Sequence, residues 1–327
     1  MTATETPSAP VILAEVVRSG FVEGRHLGSF VIVQPDGAVD RARGDVVSPI
    51  FPRSSNKLMQ ATGMVECGFD GPSQHLALAA SSHSGEPMHI AVVREILASA
   101  GLPEDSLRTP PGWPLNDDAM RAVSRAGGDR ARILMNCSGK HSAMLATCVV
   151  NDWPTDDYRD PAHPLQQRIR DTIARLSGQP VLIEGVDGCG APVAALSLTA
   201  LARAFSVAVQ AESGSPERRV ADSMRAHPEL VGGSDRDVTA FMSGVSGLLA
   251  KDGAEAVMAA ALPDGRAFAL KILDGGDRAR PVVTAALLRH LGVGVDASAA
   301  RVLEQYEVEP LFGGGVRVGE IRPAALF

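Results

Sequence analysis

The sequence predicts an α/β chain of the α+β type, in which one antiparallel sheet is covered by helices and carries a helical lobe. Strand-like runs and hairpin turns cluster at both ends of the chain, and the long middle reads mostly as helices. No internal repeat or low-complexity tract divides the sequence. N- and C-terminal parts forming one sheet, with a helical middle between them, is the simplest arrangement that buries both kinds of element. The expected organisation is a short disordered lead-in at residues 1–10 and a single domain at 11–327.

Residues 11–18, Val-Ile-Leu-Ala-Glu-Val-Val-Arg, read as the first strand. Residues 21–26 read as a polar-edged connection, and 29–39 as a hairpin turning at Asp36-Gly37. A helix is expected to start near Ser54, after Pro52 and before the apolar Leu58, Met59 and Ala61. The apolar run 76–80 ends in a small polar turn, Ser81-Ser82-His83-Ser84-Gly85-Glu86, and 86–100 is helical with Ile90, Val93, Ile96 and Leu97 on one face. Residues 103–131 form a surface excursion with a short helix, and 142–150 are helical. A loop over 151–164 leads to an amphipathic helix ending near Leu176.

A short strand is expected at 180–183, before a glycine-dense turn at 184–192. Residues 193–211 contain helical stretches and 216–226 form a helix. A hairpin at Asp264-Gly265 joins strands at 254–261 and 267–273. A helix at 280–291 and a strand at 316–322 complete the chain.

Composition excludes several function classes. A formal net charge of −7 argues against nucleic acid or an anionic membrane surface as the main partner. No apolar run reaches the length of a transmembrane helix, and the N-terminus lacks the basic and apolar regions of a signal peptide, so a cytoplasmic protein is expected. In that compartment the four cysteines are thiols or metal ligands rather than disulfides. Cys67 and Cys148 lie in apolar helical surroundings and read as core thiols.

The chemistry-bearing residues begin with Ser54-x-x-Lys57. At the start of a helix, Lys57 lies one turn from Ser54 and on the same face. A lysine whose pKa is lowered by burial or a neighbouring cation can take the proton of a serine hydroxyl, which is a poor nucleophile until it does. The plain reading of such a tetrapeptide is a helix cap followed by a solvated lysine. Lysine usage argues otherwise. Only Lys57, Lys140, Lys251 and Lys271 are lysine among 31 basic residues. Arginine serves as a surface cation but not as a base, so lysines kept in motifs, Lys57 and Lys140 first, read as places where chemistry or fit requires an amine; the alternative is compositional bias with a few survivors, and Lys271 stays open.

Cys137 and Cys189 both sit in glycine-containing turns beside polar residues, Cys137-Ser138-Gly139-Lys140-His141 and Asp187-Gly188-Cys189. Two thiolates with a nitrogen donor suit zinc, and Lys140 and His141 are both candidates for that donor. The alternative is a pair of unrelated free cysteines.

Taken together, Arg53-Ser54-x-x-Lys57, Ser81-Ser82-His83-Ser84-Gly85-Glu86, Asn136-Cys137-Ser138-Gly139-Lys140-His141, Asp187-Gly188-Cys189 and His227-Pro228-Glu229 resemble the Rhizobium etli-type (class 3) L-asparaginase family. Val22-Glu23-x-x-His26 and Lys271-Ile272-x-Asp274-Gly275 fit as well, so the resemblance runs through nearly the whole chain. It implies a serine β-lactamase/glutaminase-like fold, a homodimer, and hydrolysis of L-asparagine to aspartate and ammonia. It also implies two serine–lysine pairs, Ser54 with Lys57 and Ser82 with Lys251, for which Lys271 is a rival partner. The resemblance further implies zinc on Cys137, Lys140 and Cys189. Arg53, His83 and Asp187 are the candidate substrate-binding residues. The expected nucleophile is Ser54, deprotonated by Lys57, with Ser82 and Lys251 relaying the proton to the leaving ammonia; the alternative is attack by Ser82 with Ser54 and Lys57 as the relay. Competing readings are another Ser-x-x-Lys amidase, such as a glutaminase, and a non-catalytic zinc-stabilised binding protein.

Overall fold

The computed structural model describes residues 8–327. Most of the lead-in expected at 1–10 lies outside the described residues. In chain order the elements are β1 (Val11–Arg18), β2 (Phe21–Val33), β3 (Val39–Arg43), α1 (Lys57–Glu66), α2 (Ser73–Ala79), α3 (Pro87–Ser99), α4 (Asp117–Arg125), α5 (Ser138–Val150) and α6 (Pro164–Ser177). They continue as β4 (Glu184–Val186), β5 (Pro192–Ala194), α7 (Leu198–Gln210), α8 (Pro216–Ala226), α9 (Pro228–Val231), α10 (Asp237–Gly244), β6 (Leu249–Gly253), β7 (Val257–Ala261) and β8 (Ala267–Ile272). The last are α11 (Arg280–His290), α12 (Ala297–Gln305), β9 (Glu309–Gly313) and β10 (Val316–Pro323).

The chain divides into two compact units. The first combines the described residues up to Ser55 with Leu196–Val207 and Ala240–Phe327. It holds an eight-stranded sheet in the order β6-β7-β8-β2-β1-β10-β9, with β3 also paired to β2. All its pairings are antiparallel. The sheet does join the two ends of the chain, through β1–β10 and β2–β8. Helix α11 packs on β1, β7, β8 and β10. β6 and β7 are buried along their whole length, so their small apolar residues carry no in–out alternation.

The second unit, Asn56–Ala195 with Ala208–Thr239, is helical apart from the β4–β5 hairpin. Helix α1 lies at its centre against α5, α6 and α8, and all of it but Glu66 is buried. Helix α2 packs on α5 and α8. Gly63 lets α6 close on α1, since a Cβ there would come 3.1 Å from the Ile169 Cα.

Several expectations shift. Residues 21–26 are the first half of β2, paired with β1. Their alternating, mostly exposed side chains gave them a loop-like polarity. The short strand expected at 180–183 forms at Glu184–Val186, because its register is set by β5, while Leu182 is 85% exposed. The helical part of 76–80 belongs to α2, and α12 and β9 were not anticipated.

Candidate active site

In the sheet-bearing unit, residues 53–56 form a single 3-10 turn after Pro52. Arg53 takes φ +53°, a left-handed conformation that non-glycine residues hold only when their surroundings enforce it. The turn is seated on β6. Ser55 Oγ donates to the Lys251 carbonyl at 3.2 Å, and a Cβ on Gly253 would collide with the Pro52 carbonyl. Ser54, 9% exposed, therefore stands on a segment braced by the strand that carries Lys251. Lys251 is fully buried and ion-paired with the buried Asp252 carboxylate, and its Nζ also donates to the Asp252 carbonyl at 2.9 Å. Lys271, on β8, donates to the Glu255 carbonyl at 2.9 Å. Burial pulls its pKa down and Arg53 adds to the effect, against the carboxylates of Glu255 and Asp274.

In the helical unit, Lys57 opens α1 with its side chain wholly buried. Its Nζ lies 2.6 Å from the Ser81 carbonyl, 3.1 Å from Ser82 Oγ and 3.1 Å from Cys137 Sγ. Lys57 is thus hydrogen-bonded to the serine that the sequence assigns to Lys251. Ser82 is 4% exposed, and its segment is pinned by Ser82 N to the Val231 carbonyl (3.0 Å) and His83 N to the Asn136 carbonyl (3.0 Å).

His83 spends both ring nitrogens inside the unit. Nδ1 accepts from Gly85 N at 3.1 Å. Nε2 donates to Ser138 Oγ at 2.9 Å, and that hydroxyl in turn donates to the Ile133 carbonyl. This network fixes the Nε2–H tautomer. The ring stacks on His89, centroids 5.0 Å apart. Burial, followed by the His89 and Lys57 charges, pushes the His83 pKa well below the ordinary range. The ring holds the Ser82 turn against the start of α5.

The cysteine turns converge on the same helix. Cys137 precedes α5, and Lys140 and His141 are in its first turn. Gly139 is required there: a Cβ would lie 2.6 Å from Leu78 Cγ and 2.7 Å from the Leu78 carbonyl. Cys189 sits on the β4–β5 loop, closed by Asp187 N to the Ala191 carbonyl at 2.9 Å, with Gly190 at φ +83°. Its Sγ lies 3.4 Å from Lys140 Nζ. The two thiols share a hydrogen bond that pushes Cys189 far down, against burial and with help from Lys140, while the same bond and burial push Cys137 up. Burial opposes the charge of Lys140, but the sulfurs and Asp187 outweigh it and raise its pKa. His141 Nδ1 bonds the Tyr158 hydroxyl at 2.7 Å, while its buried Nε2 has no hydrogen-bond partner of good geometry.

Among the described residues, no three of His, Cys, Asp and Glu gather as a metal site. The converging donors are instead two thiols and an amine. On a tetrahedral zinc with Zn–S near 2.3 Å and Zn–N near 2.1 Å, a sulfur and a nitrogen lie roughly 3.6 Å apart. The Cys189–Lys140 separation of 3.4 Å meets that within a few tenths, so this pair of donors is spaced as the ion requires.

The other two cysteines differ. Cys148 is fully buried and burial pushes its pKa up to about 12. Cys67, at the end of α1, is only partly buried, so it is not the core thiol expected.

Comparison with solved structures gives distant similarities. Mglu in its tris and glutamate form is 13% identical, with a TM-score of 0.44 over 86% of this chain. This chain spans 63% of the Mglu chain. A β-lactamase (Mb2281c) from Mycobacterium bovis is 14% identical, with a TM-score of 0.36 over 80% of this chain and 94% of that one. Bacillus glutaminase is 9% identical, with a TM-score of 0.38 over 82% and 92%. All three TM-scores are too low to transfer an activity. Comparison with curated proteins gave no match. Residues 14–323 match the model of L-asparaginase II, and the chain belongs to that family.

Proposed function

We propose that the protein hydrolyses the side-chain amide of L-asparagine to L-aspartate and ammonia by serine–lysine catalysis. The observation that carries this reading is the Lys57 amine, wholly buried and 3.1 Å from Ser82 Oγ. In its neutral form Lys57 takes the Ser82 proton as Oγ attacks the amide carbon. The proton then passes to the leaving nitrogen and ammonia departs with it; water cleaves the resulting ester to aspartate, and a proton of that water, taken up by Lys57, is passed to Ser82 Oγ. This choice makes Ser82 the nucleophile and leaves Ser54 and Lys251 as the second pair. Asp187, in the same unit as Ser82, offers a carboxylate for the substrate's α-ammonium. His83 acts by holding the Ser82 turn.

Zinc on Cys137, Lys140 and Cys189 belongs to the same proposal. When bound, it supplies a fixed positive charge that ties the two turns together and attracts a polar group of the substrate. A cytoplasmic homodimer completes the reading. No helix among the described residues is long and apolar enough to cross a membrane.

The test measures ammonia release from L-asparagine and L-glutamine by purified protein of known metal content. Asparagine turnover that disappears in Ser82→Ala and Lys57→Met is expected. A slow ester substrate should leave an acyl group on Ser82, located by peptide mass spectrometry. Acylation of Ser54 instead would reverse the two serines. Release from neither amide by folded, zinc-loaded protein would remove the amidohydrolase reading.

A further inference from the structure

We propose that Lys271 is a positioning residue for the hairpin that carries Lys251, holding its turn in a left-handed form that the turn's own residues disfavour. The activity arm of the test rests on the amidohydrolase reading above. Strands β6 and β7 are joined by residues 254–256, where Glu255 takes φ +64° and Ala256 φ +53°. Two successive left-handed residues suit glycine, asparagine or aspartate, and this turn has none of these.

An external clamp holds it. Lys271 Nζ donates to the Glu255 carbonyl at 2.9 Å, and Ile272 N donates to the Ala256 carbonyl at 3.1 Å. Lys271 also stands opposite Val257 in the β7–β8 ladder. The clamp is itself anchored. Asp274, three residues on, holds His26 Nδ1 at 2.9 Å and Gly276 N at 2.8 Å, so β2 fixes the segment that follows Lys271. Gly275 backs the turn closely, since a Cβ there would lie 3.4 Å from the Glu255 Cα.

The effect reaches Lys251 through the strand. Gly253, just before the turn, abuts the Pro52 carbonyl, and the Lys251 carbonyl receives Ser55 Oγ at 3.2 Å. A turn released from the clamp slides β6 along the segment that bears Ser54. Lys271 thus acts without touching the reacting atoms. This also accounts for Val22-Glu23-x-x-His26 and Lys271-Ile272-x-Asp274-Gly275, which meet at His26–Asp274.

The experiment compares Lys271→Met, which removes the donor and keeps the stem, with Lys271→Arg and with Lys271→Met/Glu255→Gly. Glycine adopts positive φ without a clamp. Lys271→Met should lower kcat on asparagine about tenfold, less than the hundredfold of a 1 Å misplacement, with KM nearly unchanged. Lys271→Arg and the double variant should recover most of the loss. Amide hydrogen exchange in β6 and β7 should speed up in Lys271→Met and return towards wild type in the double variant. A Lys271→Met chain that folds only with Glu255→Gly also supports the clamp. A loss that falls on KM, or that glycine does not repair in either readout, overturns it, as does failure of both chains to fold. If wild type releases no ammonia, the amidohydrolase reading falls and the exchange data alone decide the clamp.

Discussion

Replacing Gly139 with alanine separates packing from chemistry at the start of α5. The new Cβ would sit 2.6 Å from Leu78 Cγ and 2.7 Å from the Leu78 carbonyl. Non-bonded carbon atoms rest about 3.5–4.0 Å apart, so α5 and α2 must part by roughly 1 Å. Overpacking of this kind costs about 1–3 kcal/mol. Alanine returns about 1 kcal/mol through its better helix propensity. The net loss of stability is therefore about 0–2 kcal/mol, and the chain still folds. Activity should suffer more. The first turn of α5 carries Lys140, and Cys137 just before it lies 3.1 Å from Lys57, which is anchored beyond α2 by the Ser81 carbonyl. A shift near 1 Å between these groups costs about a hundredfold in rate. Urea unfolding and asparagine turnover on the same preparation measure both terms. A variant that is stabilised by about 1 kcal/mol with full activity would refute the reasoning, because propensity alone would then have operated.

Two further outcomes follow from burial. His83 and His89 are fully buried and burial lowers both pKa values, so the folded state binds their protons less readily than the unfolded chain. Their contribution is complete above the unfolded value near 6.5 and is lost as pH falls towards the folded values. The urea midpoint should accordingly drop on acidification below pH ~6.5, and His83→Gln should flatten that slope; an unchanged slope would contradict it. Cys148, with its pKa pushed up to about 12, should resist iodoacetamide in the native protein while Cys67 reacts first. Equal labelling of the two before unfolding would show that α5 opens there.

Much of the fold was legible where local chemistry and final structure agree. Helix α8 could be bounded from Ser215-Pro216, because Ser215 caps Arg218 N and proline suits the first helical position. The turn at Asp264-Gly265 was equally plain. Strand β9 was hidden by Pro310, which an edge strand tolerates but a pattern search penalises. Helix α12 has an Asp296 cap but begins in alanine and serine, with only Val302 and Leu303 as large buried apolar residues. At the site, motifs identified the residue types. They did not reveal that Lys57 binds Ser82, because those residues are 25 apart and meet only through helix packing. The His26–Asp274 contact spans 248 positions and left no local trace.

The scarcity of lysine has a consequence outside catalysis. Lys57, Lys140 and Lys251 are fully buried, which leaves Lys271 as the one lysine side chain partly open to solvent among the described residues. At its lysine side chains the folded molecule is almost blank to reagents that attack amines and to a protease that cuts after lysine alone. Its surface cations are arginines, which neither reagent recognises. Cleavage at the three buried positions therefore reports unfolding, so the protein carries an internal gauge of its own integrity at the residues its proposed chemistry uses.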